Sequence, residues 1–258
     1  MSRTAPAAGK LIITGTGRAG TTLLVRLFTE LGLDTGFDRT NWQASYDAHC
    51  HAGLEHTLTA PDAPRVIKNP SLCQELPPLL RIGAAPAIDW VIIPVRDLAS
   101  AARSRIRVGG RDGEIPGGLW LTSRPEQQAG ALAIAFHELI HALIEHDIPH
   151  TFLAFPRFAL DPAYAYQKLG CILPDSVTLD VFQTAFARVV DPELIHSFPG
   201  ASPPTNEALA AAYREKQRLA ARAAQARRRQ RRQRRLAAVI ATLIVTGFVW
   251  FRLSHRAS

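Results

Sequence analysis

The chain has 258 residues, 47% of them hydrophobic, which is enough for one α/β core with an appendage. Its net charge of +8 is uneven, because residues 206–258 carry 13 Lys and Arg against 2 Asp and Glu, whereas the rest carries 17 against 20. This distribution argues against a nucleic-acid-binding core, and the three widely spaced cysteines exclude a disulfide framework and indicate reduced thiols.

The first predicted elements enclose a glycine-rich loop. An apolar run at residues 11–13 predicts a strand, and apolar side chains at helical spacing after residue 22 predict a helix. Gly15, Gly17 and Gly20 lie between them. A strand, a glycine turn and a helix aim backbone N–H groups and a helix N-terminus at an anion. The segment therefore predicts a phosphate- or sulfate-binding loop, and the alternative is a glycine turn without a ligand.

Three loop types share this glycine spacing. A dinucleotide fingerprint also needs a second strand that ends in an acid, and residues 33–38 are a poor strand. An ATP-binding P-loop needs Lys after its last glycine, where Thr21 stands. The third type carries a cation inside the loop, as Arg18 does here. Arg18 followed by Gly20, Thr21 and Thr22 resembles the 5′-phosphosulfate loop of sulfotransferases that use 3′-phosphoadenylyl sulfate (PAPS).

The resemblance implies that this loop binds the cofactor. Its expected ligands are Gly15, Gly17, Arg18, Ala19, Gly20, Thr21 and Thr22. Ala19 is a departure, because the family more often has Ser there.

A second motif follows the next long apolar run. Residues 90–95 predict a buried strand and residues 98–107 a helix, with Arg96 between them and Ser104 on the helix. In the sulfotransferase family, an Arg that closes a central strand and a Ser eight positions later bind the 3′-phosphate of the cofactor. The resemblance therefore implies a second phosphate site, and the alternative is an Arg96 that pairs with the adjacent Asp97.

Looser similarities extend over about residues 10–195. Residues 66–68 predict a short strand that delivers Lys68, where the family often has a lysine near the transferring group. A strand at 151–155 and a helix ending near residue 169 resemble the end of the family's domain. Pro70 departs from the pattern, since cytosolic members have a catalytic His there. The implied fold is α/β, a P-loop-type parallel sheet flanked by helices.

The implied reaction is sulfuryl transfer from PAPS to a hydroxyl or amine, with PAPS as co-substrate and no metal. Arg18 and Lys68 are the expected catalytic cations. Asp38 is the favoured general base, with His51 second. An acceptor at a membrane, such as a lipid or glycan, is expected from the C-terminal segment described below. The glycines between residues 109 and 118 would form a loop over the acceptor, or an open crossing.

Three other functions remain as alternatives. A nucleotide-dependent kinase with a degenerate P-loop would bind Mg-ATP, and an inactive scaffold would bind the cofactor without turnover. His137-Glu138-Leu139-Ile140-His141 matches the HExxH signature of zinc proteases. That signature is disfavoured, because the longer metzincin pattern does not follow and the nearby acid is too close in sequence for the usual third ligand.

The C-terminal quarter predicts a membrane anchor. Residues 197–204 contain Pro, Gly and Ser and predict the end of the sulfotransferase-like domain at 1–204. Residues 205–235 predict a basic helix that ends in seven arginines, and 236–253 predict a single transmembrane helix. Its apolar core of 16 residues would be about 24 Å long. The positive flank predicts a cytoplasmic catalytic domain, with no nucleic acid as partner.

Overall fold

The protein is an α/β structure built on a parallel sheet, as predicted. The computed structural model describes residues 9–109, 114–115, 117–195 and 205–254. Its strands are β1 (Lys10–Ile13), β2 (Tyr46–Asp47), β3 (Ala52–Gly53), β4 (Val66–Lys68), β5 (Ile88–Val95) and β6 (His150–Ala154). Four of them form a sheet in the order β4-β1-β5-β6 with every neighbouring pair parallel, while β2 and β3 form a separate antiparallel hairpin.

Helices connect and cover these strands. They are α1 (Thr21–Glu30), α2 (Leu72–Arg81), α3 (Leu98–Val108), α4 (Gln128–Glu145), α5 (Arg157–Leu160), α6 (Pro162–Leu169), α7 (Leu179–Val189) and α8 (Asn206–Ser254). Short 3₁₀ turns occupy Trp42–Ser45, Pro125–Gln127 and Pro192–Leu194. The strands and helices predicted at both cofactor motifs are present, with boundaries shifted by one or two residues.

The direction of the connections decides which face each helix covers. The chain passes from β1 to β4 on one side and then crosses back over β1 to β5 on the other. Since such crossovers are right-handed, α1 and α2 lie on opposite faces of the sheet. Successive residues of β1 accordingly face opposite sides of the sheet. Leu11 and Ile13 pack in the core that includes α1 and α7, whereas Ile12 packs in the core that includes α2 and α4.

This reversal of strand order creates a crevice. In open parallel sheets, ligands bind beyond the carboxyl ends of the strands at the point where the order changes. Here that point lies between β1 and β5, so the glycine loop after β1 and Arg96 after β5 meet at the same edge. The fold thus brings the two predicted cofactor motifs together.

The chain forms two compact units, 1–213 and 214–258. The predicted boundary at residues 197–204 lies outside the described residues. The described residues of the second unit all belong to α8, which confirms the predicted helix over 205–235, and the side chains of Arg227, Arg228 and Arg229 are exposed. Within the described ranges no helix is both long and apolar enough to cross a membrane, so the structure does not support the anchor predicted at 236–253.

Candidate functional site: an anion-binding cavity

The loop between β1 and α1 depends on glycine for its shape. The backbone is left-handed at Gly17, Arg18 and Gly20, with φ of 68°, 55° and 81°. A Cβ atom at Gly17 would lie 2.5 Å from Arg105 Nη2, and one at Gly20 would lie 2.8 Å from Phe158 Cζ. Both positions therefore favour glycine, because an added methyl group would displace Arg105 or Phe158 and the backbone is left-handed. The loop leads directly into α1, whose first N–H groups have no acceptor within the helix.

A cavity of about 380 Å³ lies against this loop. Its volume falls within the roughly 300–1,000 Å³ of small-molecule sites. Among the described lining residues, five cationic side chains face two carboxylates. The cationic side chains are Arg18, Arg26, Lys68, Arg96 and Arg105, and the carboxylates are Glu55 and Asp191. Such a cavity favours an anionic ligand.

Arg18 connects the two predicted phosphate sites. Its Nε donates to Ser104 Oγ at 3.0 Å, and its Nη1 donates to the carbonyl oxygen of Cys50. Arg96 Nη1 in turn donates to the carbonyl oxygen of Arg18 at 2.9 Å. Both Arg96 and Ser104 are buried. The guanidinium of Arg96 therefore points towards the glycine loop, and Arg96 and Ser104 both contact one residue of it.

The cations of this cluster destabilise one another's charged forms. Burial lowers the pKa of Arg18, Lys68 and Arg96. The positive charge of Arg18 lowers the pKa of Lys68 and Arg96 further, so all three lie within electrostatic reach. A bound anion would relieve both effects, because it replaces lost solvation and offsets the mutual repulsion.

Lys68 is held at the end of β4 by the β2–β3 hairpin and the residues after it. Its side chain is only 2% exposed, and its Nζ donates to the carbonyl oxygen of Gly53 at 2.7 Å and to Glu55 Oε1. The negative charge of Glu55 raises the pKa of Lys68, but burial is the larger effect and the net direction is downward. Lys68 is thus fixed in orientation beside the loop.

The two predicted bases lie in different places. Asp38 is exposed and does not line the cavity. Its carboxylate accepts hydrogen bonds from Thr40 and Asn41, and the bonds from Thr40 lower its pKa most. His51 lines the cavity, and its Nδ1 lies 2.9 Å from the Tyr46 hydroxyl. The structure therefore does not bring Asp38 to the site, and of the two predicted bases only His51 lies at the cavity.

The predicted loop ligands divide in a similar way. Gly17, Arg18, Gly20, Thr21 and Thr22 line the cavity. Gly15 and Ala19 do not line it, and the side chain of Ala19 is fully buried in the core. A methyl group suits that environment, which gives a physical reason for alanine where the family more often has serine.

Sequence reasoning missed two arginines of the site. Arg105 is 5% exposed, and it donates twice to the carbonyl oxygen of Thr16, at 2.8 and 3.2 Å, and once to that of Gly118 at 2.8 Å. Arg26 lies on α1, four residues after Thr22. Only their positions in the sequence could have indicated these two residues. Arg105 follows Ser104 directly, and Arg26 shares a face of α1 with Thr22.

The predicted acceptor loop lies partly outside the described residues, because 110–113 and 116 are not described. Ile115 and Gly117, which belong to it, line the cavity together with Trp120. The Arg105 guanidinium carbon lies 5.0 Å from the centre of the Trp120 ring. Arg105 therefore joins the glycine loop to the described end of this segment.

The HExxH signature lies on α4. The rings of His137 and His141 are 6.3 Å apart, and His141 Nδ1 lies 3.6 Å from Glu145 Oε2. Among the described residues, no three His, Cys, Asp or Glu side chains converge as metal ligands. Among the described residues the three cysteines form no disulfide, and two of them are buried.

These observations define a cation-rich cavity at the point of a parallel sheet where the strand order reverses. Buried cations, a glycine loop and a helix N-terminus converge on it. Comparisons with protein-family models, curated proteins and solved structures find no match for this chain.

Proposed function

We propose that the chain is a PAPS-dependent sulfotransferase, which moves a sulfuryl group from PAPS to a hydroxyl or amine of an acceptor. The observation that carries this proposal is the convergence of Arg18, Lys68 and Arg96 on one cavity beside the glycine loop. PAPS carries phosphate groups at both ends of its ribose. A cavity that is lined by a cation of the loop and by two further cations suits such a ligand.

The lining residues fit the two ends of the donor. The loop from Gly17 to Thr22 and the start of α1 supply N–H groups and hydroxyls for the 5′-phosphate. Arg96 and Ser104 would bind the 3′-phosphate, the former through a charged fork and the latter through a hydroxyl. The Ser104 hydroxyl can accept from Arg18 Nε and still donate its own proton to a phosphate oxygen, so the bond between Arg18 and Ser104 is compatible with the ligand.

Sulfuryl transfer breaks the bond between sulfur and a phosphate oxygen and forms one between sulfur and the acceptor oxygen. By analogy with phosphoryl transfer, negative charge accumulates on the leaving phosphate. Arg18 and Lys68 stabilise that charge, and both are already in place before the reaction, so little reorganisation is needed. Glu55 orients Lys68 through their ion pair.

The proton of the acceptor passes to His51 in this proposal. Tyr46 orients the ring, and burial raises the pKa of the Tyr46 hydroxyl, so that this hydroxyl stays protonated. When Nδ1–H donates to the Tyr46 oxygen, Nε2 carries the lone pair that accepts the proton. His51 thus replaces Asp38 as the proposed base.

A calorimetric titration with 3′,5′-bisphosphoadenosine, the product that PAPS leaves, tests the proposal. We expect binding that needs no Mg²⁺, and 5′-AMP should bind more weakly because it lacks the 3′-phosphate. Preference for Mg-ATP would instead support the kinase with a degenerate P-loop. Binding of the bisphosphate without turnover on a panel of hydroxyl and amine acceptors would support the inactive scaffold.

The membrane anchor at 236–253 remains part of the proposal on the strength of the sequence. Sixteen uncharged residues follow the arginine cluster, and Trp250 suits an interface. Carbonate extraction of membranes from cells that produce the full chain tests it, with a chain that ends at residue 235 as the control. Extraction of both chains alike would contradict an anchor.

A further inference from the structure

We infer that the acceptor carries a singly charged anionic group that binds to Arg26; the inference rests on the proposed function. Arg26 lies on α1 four residues after Thr22, so the two side chains share one face of the helix and both line the cavity. An acceptor beside the nucleotide loop therefore meets a guanidinium about one helical turn away from it.

Arg26 is a half-buried residue whose guanidinium lies against the Trp42 ring. Its Nε is buried and has no hydrogen-bond partner among the described residues. Its guanidinium carbon lies 4.4 Å from the centre of the Trp42 ring, a contact that holds the plane of the group and leaves its N–H edge for other partners. Arg26 lines the cavity, so an anionic ligand oxygen bound there can accept from its guanidinium.

The charges that face Arg26 limit the charge of that ligand. Asp191, just after α7, lines the same cavity, and its negative charge raises the pKa of Arg26, although burial lowers that pKa more. Asp191 Oδ1 already accepts a hydrogen bond from the backbone N–H of Glu193 at 3.0 Å. Because the Asp191 carboxylate would repel a second negative charge, a carboxylate or a similar monoanion fits better than a phosphate dianion.

Aromatic side chains join Arg26 to the proposed base. Trp42 packs edge-to-face on Tyr46, with ring centres 5.4 Å apart, and the Tyr46 hydroxyl contacts His51. One acceptor can therefore place its anionic group at Arg26 and its reacting hydroxyl at His51.

The remaining wall of the cavity beside Asp191 is apolar. Its residues are Leu23, Val189, Val190, Leu194 and Ile195. The acceptor class that satisfies every part of this surface is an amphipathic molecule with a monoanionic group, an apolar body and a hydroxyl or amine.

A matched pair of probes tests this inference on the full chain. We expect 3-(4-hydroxyphenyl)propanoate to bind about tenfold more tightly than its uncharged amide, as one charge-assisted hydrogen-bonded contact implies. Arg26→Gln should bring the affinity ratio close to one. Arg26→Lys should give an intermediate ratio, because it keeps the charge and loses the planar fork. Arg39→Gln is the matched control, since Arg39 is a surface residue that pairs with Glu30, and it should leave the ratio unchanged.

Equal affinity of the wild-type chain for the two probes would overturn the inference, and so would an unchanged ratio in Arg26→Gln. If Arg26→Gln does not give the far-ultraviolet circular dichroism of the folded chain, Arg26→Lys serves as the test. An affinity ratio equal to that of the wild-type chain in Arg26→Lys would then overturn the inference. A parallel titration with 3′,5′-bisphosphoadenosine separates the two proposals. If the wild-type chain does not bind the nucleotide, the sulfotransferase proposal is contradicted, and with it the acceptor role of Arg26. If it binds the nucleotide but does not distinguish the two probes, only the role of Arg26 is contradicted.

Discussion

Replacement of Arg96 by alanine should weaken binding of 3′,5′-bisphosphoadenosine and leave 5′-AMP almost unaffected. Arg96 is 8% exposed, and it donates at 2.9 Å to the carbonyl oxygen of Arg18. Burial and the charge of Arg18 both lower its pKa, so a phosphate at this position would offset an existing electrostatic cost. The 3′-phosphate is the only group that distinguishes the two nucleotides.

The size of the effect follows from the contact that is removed. A hydrogen bond to a charged group contributes about 1.5–3 kcal/mol, which corresponds to a loss of roughly 10- to 150-fold in affinity. Arg96→Lys should lose less than Arg96→Ala, because the ammonium keeps the charge but contacts phosphate through one point. Arg107→Ala is a suitable control, since Arg107 lies exposed on the same helix.

Isothermal titration calorimetry with both nucleotides measures these changes. The difference between the two affinity losses isolates the interaction of Arg96 with the 3′-phosphate from any general loosening of the loop. Equal losses for the two nucleotides would refute the phosphate role of Arg96 and leave it a purely structural one. No loss for either nucleotide would remove Arg96 from the site altogether.

Three further substitutions test other parts of the site. His51→Ala should lower turnover about 100-fold while the nucleotide dissociation constant stays within about twofold, and steady-state kinetics that match the wild type would exclude His51 as the base. The free energy of unfolding of the wild-type chain should rise with pH in the alkaline range, and Lys68→Met should remove that rise. Burial lowers the pKa of Lys68 in the folded chain below its ordinary 10.5, so the unfolded chain binds the extra proton between those two values, and urea denaturation of both chains up to about pH 10 should show the difference. Gly17→Ala should lower the melting temperature more than Gly83→Ala, since both positions have left-handed φ but only the first meets another atom, Arg105 Nη2; equal shifts in calorimetry would contradict the clash.

Local patterns in the sequence were sufficient for the framework of the fold. Apolar runs and helical spacing predicted the strands and helices at both cofactor motifs, because those patterns report which faces must be buried. The glycine spacing predicted a tight loop, since left-handed backbone at Gly17 and Gly20 has a strong residue preference. The hairpin of β2 and β3 was missed, because its strands are two residues long and show no periodic pattern.

The composition of the cavity required the tertiary structure. Asp38 is the base that the sequence analysis favours, but its carboxylate accepts hydrogen bonds from neighbouring turn residues at the surface. Glu55 reaches the cavity from a segment with no recognisable motif, and Arg26 lies on the predicted helix after the glycine loop at a position that the motif does not assign. Sequence separation does not predict such convergence, because it depends on which strands are neighbours and on how the connecting loops return to the sheet.

The chain by itself therefore determined the glycine loop, the strand and helix on either side of it and the arginine that ends β5, since each of these follows from residue preferences within a few turns of backbone. Only the tertiary structure decided that Arg18, Arg26, Lys68 and Arg96 face one cavity. The order β4-β1-β5 places three strand ends side by side, and that order results from packing of the whole sheet between its two layers of helices.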